Sequence, residues 1–283
     1  GLMSSTVFYK SAKTAATTMA RAYVSGYGGA PPLAYVWRTD NMGGSWTPSP
    51  LANVQYGSTP TVLVAAVDPS NADIVYLISQ GANNSSGDRL YRSSDAGMTW
   101  TDVLDVTGPI KNVVIQDANT VFVTTMMQSG MTFIGGPAYR STNGGLAFDP
   151  MPAAPQLACL GKDPGGNLIG CGANWQPDYE AVARSTDGAA SFAKVWRFVE
   201  LAGPLDCPAG TAEYDTCNQE MWDNVKAQFA STGPTCGANV VPDGANGDPA
   251  PKKGGGCCDA GAGGPVGLLW AFVVGGLLLR RRA

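Results

Sequence analysis

The sequence predicts an all-β chain, a β-propeller of four-stranded blades, on three observations. These are a turn-rich, charge-poor composition, a nine-residue segment repeated four times, and a second turn that recurs in register with it. Gly (37) and Pro (20) make up about a fifth of the 283 residues, and charged residues only 14%. That is the composition of many short strands joined by turns rather than of long solvated helices.

The repeated segment reads RTDNMGGSW from Arg38, RSSDAGMTW from Arg92, RSTNGGLAF from Arg140 and RSTDGAASF from Arg184. Aligned, the copies share Arg, a hydroxyl residue (Thr39, Ser93, Ser141, Ser185), an Asx residue (Asn41, Asp95, Asn143, Asp187), a small residue (Gly43, Gly97, Gly145, Ala189) and an aromatic one (Trp46, Trp100, Phe148, Phe192). Hydroxyl and Asx side chains bond nearby backbone to fix a hairpin turn, glycine supplies a positive φ, and the aromatic packs into the neighbouring sheet. The four boxes are therefore structural. The Arg that opens each one (Arg38, Arg92, Arg140, Arg184) is structural by the same repetition.

The second turn is Asp68-Pro69-Ser70-Asn71, Asp117-Ala118-Asn119 and Asp163-Pro164-Gly165-Gly166, each a little over twenty residues before the hydroxyl of its box. Short runs rich in β-branched residues flank these turns: Thr61 to Val67, Ile74 to Ser79, Val113 to Gln116 and Thr120 to Thr125. Each unit is thus about four strands long, and units of this length at a period in the forties to fifties stack radially as propeller blades. A strand-like start at Thr6 to Lys10, with only four units, predicts further blades upstream of Gly1.

These boxes resemble the Asp-box, or BNR, repeats of sialidases, sortilin-type receptors, xyloglucan-active glycosidases and photosystem II assembly factors of the Ycf48 type, over residues 6 to about 200. The resemblance implies a propeller with its boxes on peripheral hairpins away from the ligand site, and leaves the activity open.

Four segments are expected: the propeller over 1–203, a Cys-rich appendage over 204–236, a flexible linker over 237–256 and a tail over 257–283. In the appendage, Met221, Trp222, Val225 and Phe229 recur at helical spacing, Thr216 with Gln219 makes a capping box, and Gly233-Pro234 is a stop signal. The linker holds Pro, Gly, Asn, Asp and Lys with almost no large apolar group. The tail runs from Cys257 and Cys258 through an apolar stretch, Pro265 to Leu279, to Arg280, Arg281 and Arg282. Fifteen residues rise roughly 22 Å as a helix, short against a hydrocarbon core of ~30 Å, and the terminal arginines would stay cytoplasmic. Cysteine pair, helix and arginine cluster in this order resemble the myxobacterial-type C-terminal sorting signal. That resemblance implies a sorting protease, cleavage near the cysteines and attachment to the cell surface.

Seven cysteines without metal-finger spacing indicate disulfides in an oxidising compartment. Cys159 and Cys171 lie symmetrically about Gly165, the centre of a hairpin turn, and are expected to pair across it. Cys207, Cys217 and Cys236 leave one without a partner. Export is the natural reading, and because residues 1 to 20 have no secretory leader, the leader is expected upstream of Gly1.

The chain contains no histidine, which removes imidazole metal ligands and Ser-His-Asp hydrolysis. A net charge of -4 with no basic face excludes nucleic acid as a partner, and no calcium, nucleotide or redox cofactor has a motif. A sialidase needs three arginines to clamp a carboxylate. Once the box arginines are set aside, Arg21, Arg89 and Arg197 remain as clamp candidates. The Phe/Tyr-Arg-Ile-Pro motif of sialidases is absent, and neighbours Tyr179 and Glu180 would point to opposite faces of a strand. Asp88, Asp102, Asp105, Asp178 and Glu180 are the carboxylates in or near loops that a paired-carboxylate glycosidase would use. Trp37, Trp175 and Tyr179, with Tyr27 and Tyr35, lie beside Gly- and Pro-rich loops and are candidates for stacking on sugars. The expected function is a cell-surface propeller that binds a glycan or protein ligand at one mouth. The alternatives are a secreted sialidase-like glycoside hydrolase and a structural or assembly protein of the envelope.

Overall fold

The computed structural model describes residues 7–57, 60–81, 87–129, 132–152, 154–172, 181–200 and 211. By internal contacts the chain divides into one unit of Gly1–Val199 with Asp223–Pro234 and another of Glu200–Trp222 with Thr235–Ala283. The strands all belong to the first.

Among the described residues, four antiparallel sheets follow one another, each of four strands in sequence order. The first holds β1 (Val7–Thr14), β2 (Ala22–Gly28), β3 (Leu33–Thr39) and β4 (Thr47–Pro48), and the second β5 (Val62–Val67), β6 (Val75–Ser79), β7 (Arg89–Ser93) and β8 (Thr101–Asp105). The third holds β9 (Ile110–Ile115), β10 (Val121–Ser129), β11 (Thr132–Ser141) and β12 (Asp149–Pro150), and the fourth β13 (Cys159–Lys162), β14 (Leu168–Cys171), β15 (Val182–Ser185) and β16 (Ala193–Trp196). A 3-10 turn, Phe198–Glu200, follows. The first strand of each sheet touches the first strand of the next, β1 to β5, β5 to β9 and β9 to β13. The first strands are therefore innermost and the sheets stand side by side as blades, the arrangement that lets the two middle sheets bury both faces.

The core lies between the blades. Tyr23, Ala34 and Val36 of the first blade meet Val62, Val64, Val75, Leu77, Tyr91 and Trp100 of the second. On the second blade's other face, Tyr76, Ile78 and Leu90 meet Ile110, Ile115, Val121 and Val123 of the third. Phe122 and Ala138 of the third then meet Leu160, Leu168 and Ala189 of the fourth. Alternation along each strand makes this possible, because Tyr76 and Leu77 are neighbours that point into different interfaces.

The four repeated segments form one turn. In each, the buried hydroxyl oxygen accepts a backbone N–H four residues on: Gly43 to Thr39 at 2.9 Å, Gly97 to Ser93 at 2.8 Å, Gly145 to Ser141 at 2.9 Å and Ala189 to Ser185 at 2.9 Å. The same hydroxyl donates to Oδ1 of the Asx residue, 2.8–2.9 Å away in all four. That oxygen in turn accepts the N–H of Ser45, Thr99, Ala147 or Ser191. Thr39, Ser93, Ser141 and Ser185 are at most 2% exposed, so each hydroxyl satisfies backbone that water cannot reach. The small residue takes positive φ even in the fourth turn, where Ala189 stands at 67° in place of glycine.

Asp and Asn both serve at the Asx position because the bonds common to all four turns use Oδ1, while the second atom accepts the Thr99 or Ser191 hydroxyl as Oδ2 of Asp and donates to the Ser45 hydroxyl as Nδ2 of Asn41, yet the two residues differ in acid. At Asp95 burial pushes the pKa up, but bonds from the Thr99 hydroxyl and N–H, the Ser93 hydroxyl and the Met98 N–H outweigh it and hold the carboxyl at about 2. At Asp187, bonds from the Ser191 hydroxyl and N–H and the Ser185 hydroxyl hold it likewise at about 2. A folded pKa below the unfolded one means stability that is present above the unfolded value and lost as pH falls through the folded one. Converting both to Asn, the residue the first and third turns already use, is expected to reduce the loss of thermal stability between about pH 4 and pH 2. Melting curves across that range check it, and an undiminished loss would place the acid sensitivity elsewhere.

Arginine links the turns of neighbouring blades. Arg38 Nη1 donates to the Ala96 carbonyl (3.0 Å) and Arg92 Nε to the Gly144 carbonyl (2.9 Å), equivalent positions in the next blade's turn. Arg140 instead lies over the Phe122 ring, 5.8 Å from its centroid, and Arg184 pairs with Asp163 at 3.3 Å. The second repeated turn closes on its aspartate: Asp68 Oδ1 accepts from Ser70 N, Asp117 Oδ1 from Asn119 N and Asp163 Oδ1 from Asn167 N.

Cys159 and Cys171 are partners across β13 and β14 and form a disulfide, with their Cα atoms 4.9 Å apart. The helix expected in 204–236, the linker, the tail with Cys257, Cys258 and Arg280–Arg282, and Cys207, Cys217 and Cys236 lie outside the described residues. Among the described residues no helix is long and apolar enough to cross a membrane.

Candidate functional site

Because each blade is a meander, its ends differ. The β1–β2 and β3–β4 turns and their equivalents, which include the four repeated segments, lie at one end. The β2–β3 loops and the blade-to-blade connections lie at the other, here called the mouth.

This geometry corrects the three-arginine clamp. Arg21 precedes β2 at the turn end, ion-paired with Asp40 and with Asp73 of the next blade. Arg89 opens β7 at the mouth. Arg197 follows β16 in the fourth blade and is 1% exposed. Arg21 and Arg89 point from opposite ends of their blades and Arg197 is shut away from solvent, so the three do not converge on one carboxylate. Trp37 is no open stacking platform either: it is 9% exposed and lies flat against Tyr35, with ring centroids 5.1 Å apart and planes 14° from parallel. Trp175 and Tyr179, with Asp178 and Glu180, lie outside the described residues.

Of the sequence candidates among the described residues, Arg89 lines a polar cleft at the mouth. The cleft lies over the second blade, is open to solvent with a volume of about 160 Å³, and is walled by Gln55, Tyr56, Gly57, Ser79, Gln80, Gly81, Gly87 and Arg89. One wall is the connection from β4 to β5, which is pinned in place. The Gln55 N–H donates to the Tyr91 hydroxyl (3.0 Å), the Ser79 hydroxyl donates to the Gln55 carbonyl, and the Gly57 N–H donates to the Gln80 carbonyl (3.3 Å). Held this way, Gln55 and Tyr56 face solvent, with Tyr56 37% exposed. Sequence reasoning missed Gln55, Tyr56 and Gln80. The available signal was a tyrosine between a glutamine and a glycine in a blade-to-blade connection, where apolar burial is not needed.

The other wall is made by Ser79, Gln80 and Gly81 at the end of β6 and by Gly87 and Arg89 at the start of β7, and Asp88 anchors it. This carboxylate is 4% exposed and accepts the Gly81 N–H through Oδ1 (3.1 Å) and the Ile110 N–H through Oδ2 (2.9 Å), tying the wall to the inner strand of the third blade. Burial pushes its pKa up, while the two N–H bonds and the charge of Lys111 pull it down. Gly87 cannot be replaced here. Its φ is +73°, and a Cβ would stand 2.0 Å from the Val106 carbonyl oxygen. Arg89 donates to Asp102 at 2.9 Å and lies 3.2 Å from Asp105, and the two carboxylates raise its pKa further. Three of the carboxylates proposed from sequence are thus committed, Asp88 to backbone and Asp102 and Asp105 to Arg89. Among the described residues, no cluster of three or more His, Cys, Asp or Glu is placed to hold a metal ion.

A second, open hollow of about 230 Å³ lies between the third blade and the connection that follows it, lined by Met127, Gly136, Pro137, Ala138, Pro150, Met151, Pro152, Ala154, Pro155 and Gln156. Its walls are nearly all apolar and offer little to orient a polar ligand.

No protein-family model and no curated protein matches this chain. Its similarities are to solved structures. They include Ycf48 bound to a D1 peptide (18% identity, 67% of this chain and 54% of that one, TM-score 0.42). Ycf48 from Cyanidioschyzon merolae matches at 16% identity over 68% of this chain and 57% of that one, with a TM-score of 0.44. An ancestral GH74 enzyme matches at 18% identity over 66% of this chain and 25% of that one, with a TM-score of 0.45. The chain spans just over half the length of the two Ycf48 structures and a quarter of the GH74 enzyme.

Proposed function

We propose that this protein is a non-catalytic binding propeller that takes a glycan in the cleft over its second blade. The observation that carries the reading is the combination, on a pinned loop, of an exposed Tyr56 ring with the Gln55 and Gln80 side chains and Arg89 around it. A sugar presents an apolar face that stacks on an aromatic ring and a rim of hydroxyls that bond amides and guanidinium. A prearranged loop lowers the ordering cost of binding.

The hydrolase reading is less well supported. Glycoside hydrolysis needs two carboxyl groups facing one scissile bond, and the three carboxylates around this cleft are bonded to backbone or to Arg89. The four turns are read as Asp-boxes on the strength of their shared hydroxyl and Asx bonding. Export and surface attachment through Cys257, Cys258 and Arg280–Arg282, with membrane and sorting protease as partners, rest on the order of those residues in the tail.

The test is titration of the full chain with a panel of soluble oligosaccharides, alongside release assays on aryl glycosides. Saturable binding without hydrolysis is expected. Turnover above background that is lost on Asp88→Asn would replace this reading with the hydrolase. Tyr56→Ala is expected to weaken binding about tenfold, or ~1.4 kcal/mol, with the melting temperature unchanged because the ring is exposed.

A further inference from the structure

Resting on that reading, we infer that the cleft selects an uncharged glycan and discriminates against carboxylated, sulfated or phosphorylated ones. The argument is one of charge. Among the residues that line the cleft, Arg89 is the one cation, and its guanidinium is engaged by two carboxylates, Asp102 through Nη1 at 2.9 Å and Asp105 through Nη2 at 3.2 Å. An acidic sugar that sought Arg89 would have to displace one of these partners, and it would bring its own charge beside both. Like charges left close together without a counter-ion oppose binding.

Among the described residues no other group lining the cleft compensates. Asp88 beneath it is itself acidic, and both its oxygens are occupied by backbone N–H groups. Lys111, whose charge reaches Asp88, is an exposed residue of β9 in the third blade and is not among the lining residues. The remaining side chains of the walls are neutral: two glutamines, a tyrosine and a serine. Such a surface offers donors and acceptors that match hydroxyl groups, and no free positive charge.

Matched ligand pairs test the inference on the full chain: lactose against sialyllactose, galactose oligomers against galacturonate oligomers, and chitin oligomers against hyaluronan oligomers. In every pair where binding is seen, the neutral member is expected to bind about tenfold tighter or better, and the gap is expected to narrow as salt screens the acidic pair. Asp102→Asn with Asp105→Asn removes both negative charges beside the guanidinium, and is expected to shift the ratio towards the acidic member of the same pair. An acidic member that binds as tightly as its neutral counterpart overturns the inference and leaves the cleft reading standing. A ratio that the folded double variant leaves unchanged overturns it too. If neither member of any pair binds, the cleft reading itself falls and takes the inference with it.

Discussion

Trp100→Ala is expected to cost about 3–5 kcal/mol of folding stability, the range for removing a large aromatic from a packed interior. The ring is 5% exposed and sits in the apolar cluster between the first two blades, against residues from both. Deleting it opens a cavity where β2, β3, β5 and β6 meet, and the flanking sheets cannot close it without losing their own register. The indole contributes by volume alone, because its buried Nε1 has no hydrogen-bond partner among the described residues. Trp100→Phe is therefore expected to cost far less, about 1 kcal/mol, and phenylalanine already fills this place in the third and fourth turns as Phe148 and Phe192. Trp46, its counterpart in the first turn, is only half-buried, so Trp46→Ala should cost less than half as much. Equilibrium denaturant unfolding checks all three. A loss below ~0.5 kcal/mol for Trp100→Ala would mean that the cluster is not a packed core.

Gly145→Ala is the second large effect, at about 2–5 kcal/mol. Two causes add. The residue holds φ at +78°, where an L side chain costs about 1–2 kcal/mol, and a Cβ there would stand 2.0 Å from the Tyr76 hydroxyl oxygen. Tyr76 would have to swing away and give up its bond to the Gly144 carbonyl, 3.0 Å, at a further cost of about 1–3 kcal/mol for a buried polar group. The fourth turn shows how the chain accommodates the same change. Ala189 occupies the equivalent position, and the residue equivalent to Tyr76 in that interface is Phe122, which has no hydroxyl. Tyr76→Phe is accordingly expected to recover at least about 1 kcal/mol in the Gly145→Ala background, while by itself it is tolerated because Arg92 still donates to the Gly144 carbonyl. A double-mutant cycle with no coupling would show that backbone conformation alone, and not the hydroxyl, excludes alanine.

The fold was legible because its signals are local and repeated. Ser93, Asp95 and Gly97 meet within one turn, so their spacing in the chain is already their geometry. The same holds for Asp163 to Asn167, which sets Cys159 opposite Cys171. Repetition four times over separated the structural arginines from the rest. The candidate site was far less legible. Gln55 and Gln80 are brought to one cleft by a loop pinned through the Tyr91 hydroxyl, and no periodicity in the sequence marks such a meeting. Arg21, Arg89 and Arg197 were equivalent on paper and prove to occupy three different environments: an ion-paired network at the turn end, an ion-paired rim at the mouth and a buried position behind β16.

The sequence by itself determined the strand-and-turn unit, its fourfold repetition, the chemistry of the repeated turns and the disulfide, since each depends on residues a few positions apart or directly opposite across a hairpin. Only the tertiary structure decided which end of the blades Arg21 and Arg89 face, that the clamp arginines are apart, that the link from Arg92 runs to the next blade's turn, and that Asp88, Asp102 and Asp105 are already taken. Those depend on which faces of separate sheets are pressed together to bury Tyr23, Leu77 and Val123. That packing is a property of the assembled blades, where burial fixes position and a neighbour's charge fixes what each side chain remains free to bind.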